Sequence, residues 1–175
     1  MSPSARPSFI ANWRDIENKH DWSYDEDDEP MCIGAPFGRR FGLQKLGIHH
    51  ERLPPGRRTS FPHAESADEE FVYVIEGEPD VWIDGHLHRL KPGDAVGFPA
   101  GTGIAHTFLN NTDEDVRLLV VGEKTKPENR VFYPLHPERR PLHPDWWDGH
   151  PRHDLGPHDG LTDRRRTENA ARKAD

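Results

Sequence analysis

The segment Gly56-Arg57-Arg58-Thr59-Ser60-Phe61-Pro62-His63-Ala64-Glu65 sets an imidazole and a carboxylate two residues apart. Side chains alternate in direction along a strand, so His63 and Glu65 leave the same face. Glu70 opens a β-branched and aromatic run, Phe71-Val72-Tyr73-Val74-Ile75, and His106 comes much later in Ala105-His106-Thr107-Phe108-Leu109-Asn110. If these strands are neighbours in a barrel, two imidazoles and two carboxylates converge inside it. Mixed nitrogen and oxygen ligation of that kind suits Fe(II), Mn(II), Ni(II) or Zn(II) without selecting one of them. Glu65 is then a fourth ligand or a general base, since a carboxylate can do either job.

Other residues are weaker candidates. His49, His50 and Arg52 lie on the strand pattern ahead of this segment; whichever points inward would meet substrate, with His50 the expected contact. Arg57 and Arg58 sit in the loop before His63, at an expected mouth, where paired donors hold a carboxylate or phosphate. Tyr73, Trp82, Phe98 and Phe108 read as core aromatics. His86 and His88 flank an exposed hairpin. The tail histidines His136, His143, His150, His153 and His158 are spaced too irregularly for a ligand motif. Cys32 has no base near it in sequence and reads as a small packing residue.

The elements that must position these groups are short strands. Phe41–Leu53, Phe71–Ile75, Val81–Ile83, Leu87–Leu90, Ala95–Phe98, Ile104–Asn110 and Val116–Val121 carry strand signals. Between them lie turns such as Pro54-Pro55-Gly56, Gly77-Glu78-Pro79, Lys91-Pro92-Gly93-Asp94 and Pro99-Ala100-Gly101, and Asp84-Gly85 marks a tight hairpin. This rhythm predicts an all-β barrel or sandwich over residues 38–122, with no long amphipathic helix. Residues 1–37 form an N-terminal arm that ends in an acidic block, Asp25–Glu29, read as a solvated turn; Trp13, Ile16, Trp22 and Tyr24 are expected to dock the arm. Residues 123–175 form a proline- and histidine-rich extension in which Trp146-Trp147 require cover, from the barrel or a partner subunit. Its last stretch, Thr162–Asp175, is expected to be frayed or briefly helical.

Composition narrows the function classes. Of the 175 residues, 33% are hydrophobic and 31% charged, so a compact apolar centre with polar extensions is expected rather than an evenly filled core. The net charge of −8 argues against nucleic acid as the main partner, and the Arg164–Arg166 run is too short to supply a basic face. No stretch reaches the roughly 20 apolar residues that cross a bilayer. The start, Met1 to Pro7, lacks the apolar core of a signal peptide, and a single cysteine makes no internal disulfide; both point to the cytoplasm.

Taken in order, Gly56, His63, Glu65, Glu70 and Gly77, followed by Gly93, Pro99, Gly101, His106 and Asn110, resemble the two linked motifs of the cupin superfamily. The resemblance covers residues 56–110 and extends through flanking strands to roughly 38–122. It implies a double-stranded β-helix, or jelly-roll, barrel with terminal extensions, in which His63, Glu70 and His106 fill ligand positions. The spacing to Gly77 favours Glu70 over Glu69. Two departures stand out: Glu65 occupies the position of the second histidine, and four residues rather than two separate Gly101 from His106. The stretches Glu69–Gly77 and Phe98–Thr107 are similar to a bacterial single-domain group that includes sugar-phosphate-isomerase-like cupins.

The residues fit a metal-dependent enzyme on a small polar metabolite, with isomerase or lyase chemistry favoured by the extra carboxylate. A ferrous dioxygenase uses the same two-histidine, one-carboxylate set. A non-catalytic binding or sensor module is the remaining alternative. Strand edges, the proline-rich tail and the tryptophan pair suggest a homodimer.

Overall fold

A computed structural model of the chain describes residues 6–25 and 27–172. The leader expectation over residues 1–5, Glu26 of the acidic block and the last three residues of the tail lie outside the described residues. Among the described residues, ten strands form: β1 (Ile33–Ala35), β2 (Leu46–Leu53), β3 (Ala64–Glu65), β4 (Glu70–Glu76), β5 (Asp80–Ile83), β6 (His86–Arg89), β7 (Ala95–Phe98), β8 (His106–Leu109), β9 (Val116–Glu123) and β10 (Val131–Phe132). Short helices α1 (Trp13–Ile16) and α2 (Phe37–Phe41) precede β1 and β2, and α3 (Asp163–Arg172) follows the strands. No helix of the described residues is long and apolar enough to cross a membrane.

The architecture is the jelly-roll double-stranded β-helix, with antiparallel pairing in every sheet. One sheet runs β1-β2-β9-β4-β7, a second runs β6-β5-β8, and β3 pairs with β10. The two larger sheets enclose Leu53, Val72, Val74, Val81, Phe98, Phe108, Val116 and Leu118, with Cys32 sealed among them. Alternation explains which residues turn inward: Val72 and Val74 of β4 are buried, whereas Phe71, Tyr73 and Ile75 stand on the outer face. Tyr73 is therefore not a core aromatic; at 39% exposure it lies on the opposite parity from Val72 and Val74.

The β5–β6 hairpin turns at Asp84 and Gly85, both at positive φ (44° and 86°), the two-residue turn whose twist matches its strands. The C-terminal segment straps across this turn. Gly156 N–H donates to the Asp84 carbonyl at 2.7 Å and His158 N–H to the Gly85 carbonyl at 3.1 Å. A Cβ on Gly85 would come within 2.4 Å of the Gly156 backbone, so the close crossing needs glycine on both sides. Further back, Trp147 packs on the cluster of Ala64, Trp82, Ala105 and Leu109, and Trp146 on Met31, Phe61, Val131 and Tyr133.

The acidic block is not a solvated turn. Glu29 is buried and accepts two hydrogen bonds from the Arg58 guanidinium, 2.9 Å from Nε and 2.7 Å from Nη2, and Arg58 Nη1 donates to the Gly160 carbonyl at 3.0 Å. Asp28 pairs with Arg165 of α3, so the arginine run also has partners from the N-terminal arm. Arg58 is 1% exposed and thus joins both extensions to the barrel. Removing one member of such a pair strands a buried charge. Arg58→Ala should cost about 3–5 kcal/mol in urea unfolding, and the double variant R58M/E29L should recover most of that loss.

Candidate functional site

His63 and His106 are brought together by the backbone. His63 N–H donates to the His106 carbonyl at 3.2 Å, His106 N–H donates back at 2.9 Å, and the rings stand 5.0 Å apart on one side of this bridge. His63 Nδ1 lies 2.9 Å from the Phe61 carbonyl, which can only accept, so Nδ1 carries the proton and Nε2 keeps its lone pair. His106 stacks on Phe98 at 3.5 Å between ring centres, and neither of its ring nitrogens has a hydrogen-bond partner, although the residue is buried. Its Nε2 lies 3.3 Å from Glu70 Oε1 without the alignment of a hydrogen bond.

A cavity of about 210 Å³ opens beside these groups, lined among others by His49, Glu51, His63, Glu65, Asp68, Glu69, Glu70, Glu123 and Thr125. A smaller one of about 80 Å³ shares Glu51, His63 and Glu70 and reaches inward to Val72 and Phe108. Burial, reinforced by the neighbouring His106, pushes His63 down to about 4, so the ring is neutral at physiological pH. Burial raises Glu70, but the pull of His106, His63 and His49 outweighs it and holds this carboxyl below the usual range. Burial, with Asp68 and Glu70 adding repulsion, lifts Glu65 to about 7; Asn129 Nδ2 donates to its Oε1 at 3.2 Å. Glu51 is raised to about 7 by desolvation, which the contact with Cys32 only partly offsets.

Strand β2 corrects one assignment. Its register places His49 opposite Val120 and Glu51 opposite Leu118, on the parity of the buried Leu53, so these two face the interior. His50 has the other parity: it stacks on Trp13 at 4.4 Å beneath the N-terminal arm and does not line the cavity. Glu51 was not singled out in the sequence, because apolar residues occupy both parities of β2, Leu46 and Ile48 on one and Leu53 on the other. The parity of Leu53 is the signal that selects it.

The arginines are corrected as well. Arg57 is held by Asp21 in a two-pronged pair at 2.8 and 3.0 Å and donates to the Met31 carbonyl, while Arg58 is the buried partner of Glu29. Neither lines the cavity, because the acidic N-terminal arm takes up both guanidinium groups.

Two imidazoles and a carboxylate are the donor set of a divalent transition metal, and the Nε2 of His106, facing Glu70 without an aligned hydrogen bond, fits such an ion. Among the described residues, no three His, Cys, Asp or Glu side chains converge tightly enough to grip one ion as they stand. A carboxyl raised in the folded state favours its protonated form there. Its destabilising effect is absent below the unfolded value near 4.5 and grows as pH rises towards 7. For the metal-free protein, Glu51→Gln should gain up to about 3 kcal/mol over wild type between pH 4 and pH 8, read by denaturant titration at each pH.

Comparison with known proteins gives this pocket a family. The cupin domain model matches residues 49–122. Polyketide synthase CurC of Streptomyces cyaneus is 33% identical over 90 residues, 51% of this chain and 51% of that protein. The crystal structure of a candidate sugar phosphate isomerase from Acidithiobacillus ferrooxidans shares 31% identity at a TM-score of 0.56, covering 59% of this chain and 65% of that one. A sugar phosphate isomerase of the cupin superfamily from Silicibacter pomeroyi shares 36% identity at 0.56, covering 58% and 64%. The chain spans about half the length of the curated relative and under two thirds of these two structures. The matched segment, residues 49–122, holds most of the β2-to-β9 barrel with His63, Glu70 and His106 inside it, and this segment is a cupin domain by its match.

Proposed function

We propose that this cupin is a metal-dependent enzyme that isomerises, or eliminates from, a small polar metabolite. The observation that carries the reading is the imidazole of His106, without an aligned hydrogen bond, facing Glu70 beside the neutral His63, with Glu70 and His63 lining the open cavity. Cupin family members often bind a metal, and the two relatives named as sugar phosphate isomerases support this reaction class. His63, Glu70 and His106 would hold Fe(II), Mn(II), Ni(II) or Zn(II). Bound there, the ion would supply Lewis acidity towards a carbonyl or hydroxyl oxygen.

The chain's own residues do the proton work. Glu65, raised to about 7, can take a proton on one carboxylate oxygen and return it at neutral pH. Asn129 holds its Oε1 and leaves Oε2 for substrate. Phe98 and Phe108 keep the inner end apolar and exclude water from the reacting atoms. In this reading the protein works in the cytoplasm, where the buried Cys32 stays a thiol. Two copies associate through the outer sheet face that carries Leu46, Phe71, Tyr73 and Ile75.

Elemental mass spectrometry of untagged protein tests the metal site. Wild type should carry near-stoichiometric metal and His106→Ala almost none. Glu65→Ala should keep its metal while losing about 10²–10⁴-fold in solvent-deuterium exchange into hydroxy-carbonyl compounds, followed by NMR. Wild type that stays metal-free after reconstitution with each of the four ions defeats the proposal. Light scattering at micromolar concentration should return twice the chain mass; a monomer would remove the homodimer.

A further inference from the structure

The pocket is one-sided in charge. Six carboxylates line the larger cavity: Glu51, Glu65, Asp68, Glu69, Glu70 and Glu123. No Lys or Arg side chain lines it, and none lines the two smaller cavities that share its residues. Of the basic groups near it, Arg39 acts on His49 without lining the cavity, and others are bound elsewhere. Lys126 Nζ is bound by Glu123 and the Ala67 carbonyl, and Arg57 and Arg58 belong to Asp21 and Glu29. A phosphate ester needs two or three donors with positive charge, from Arg, Lys or a backbone anion site. Carboxylates gathered in a low-dielectric cleft act the other way, because the walls focus their field on anything that enters.

A divalent ion does not reverse this balance. Glu70 offsets one of its two charges, and Glu65, Asp68, Glu69 and Glu123 remain around it against Lys126 and the Arg39 that acts on His49. His106, buried with neither ring nitrogen hydrogen-bonded, lines the small adjoining cavity that shares Glu65, Asp68 and Glu70 with the larger one, and the chemistry these groups favour is that of oxygen donors without a dianionic tail.

We infer that the site takes an unphosphorylated hydroxy-carbonyl compound and rejects phosphate esters, in contrast to the substrates named for its two isomerase relatives. The inference rests on the reading of the cavity as a substrate site under "Proposed function", but the carboxylates repel phosphate whether or not an ion is bound.

Thr125 offers a clean test. It is exposed, lines the cavity and, among the described residues, its side chain makes no hydrogen bond. Thr125→Lys adds one cation at the mouth without removing a contact, and Glu69→Gln, also exposed, removes one anion. Calorimetric titrations with inorganic phosphate, D-fructose 6-phosphate and D-fructose compare both variants with wild type. Phosphate and the phosphate ester should bind at least about tenfold tighter to Thr125→Lys, and more weakly improved binding should follow Glu69→Gln. D-Fructose affinity should be unchanged within about twofold, since an uncharged ligand does not feel the added charge. Wild type that binds the two phosphates as tightly as Thr125→Lys does overturns the inference. Metal content read on the same samples separates the two claims: a metal-free wild type defeats the metal reading and leaves the phosphate comparison intact.

Discussion

The mutual hydrogen bonds between the His63 and His106 backbones are the constraint on which the site depends. They join a loop-borne residue to strand β8 across more than forty positions of chain and fix both imidazoles on one side. Glu70 reaches the same space from the other sheet, where β4 is clamped between β7 and β9. Three ligand candidates from three segments are thereby brought near one another, though as they stand they do not converge tightly enough to grip one ion. The Phe61 carbonyl completes the arrangement by deciding which nitrogen of His63 is free.

The same interior is costly to fold. Two carboxyls held near 7 and an imidazole held near 4 mean that burial has overridden the solvent preference of each group. A core designed only for stability would place apolar residues there, as β4 does one turn further along with Val72 and Val74. The conflict between local polarity and global burial marks this end of the barrel as the functional one.

Much of this was legible in the sequence, and the reason is periodicity. Alternation in Phe71–Ile75, the Asp84-Gly85 turn and the ordered motifs around His63, Glu70 and His106 each carry local physics that a reader can follow. What escaped was non-local. His50 and His49 differ only in parity, and with apolar residues on both faces of β2 only Leu53 hints at the inward one, which its pairing with Leu118 and Val120 of β9 decides. Arg57 and Arg58 look available until Asp21 and Glu29, some thirty residues earlier, are seen to occupy them. Tyr73 joined the core on composition and left it on register. An acidic run read as solvent-facing because its cationic partner is remote in sequence.

The buried Arg58 also bears on how the chain is made. Its guanidinium is shared between Glu29 and the Gly160 carbonyl, which leaves the ribosome long after it. The strands of the two larger sheets are complete by Glu123, yet at that stage of synthesis one donor of a fully buried cation still lacks its acceptor. The strap across Gly85 arrives in the same late interval, because Gly156 and His158 have yet to emerge. Native closure of the barrel is thereby deferred until the extension has been translated, so a nascent chain stalled within the extension would hold a formed sheet around an unsatisfied charge.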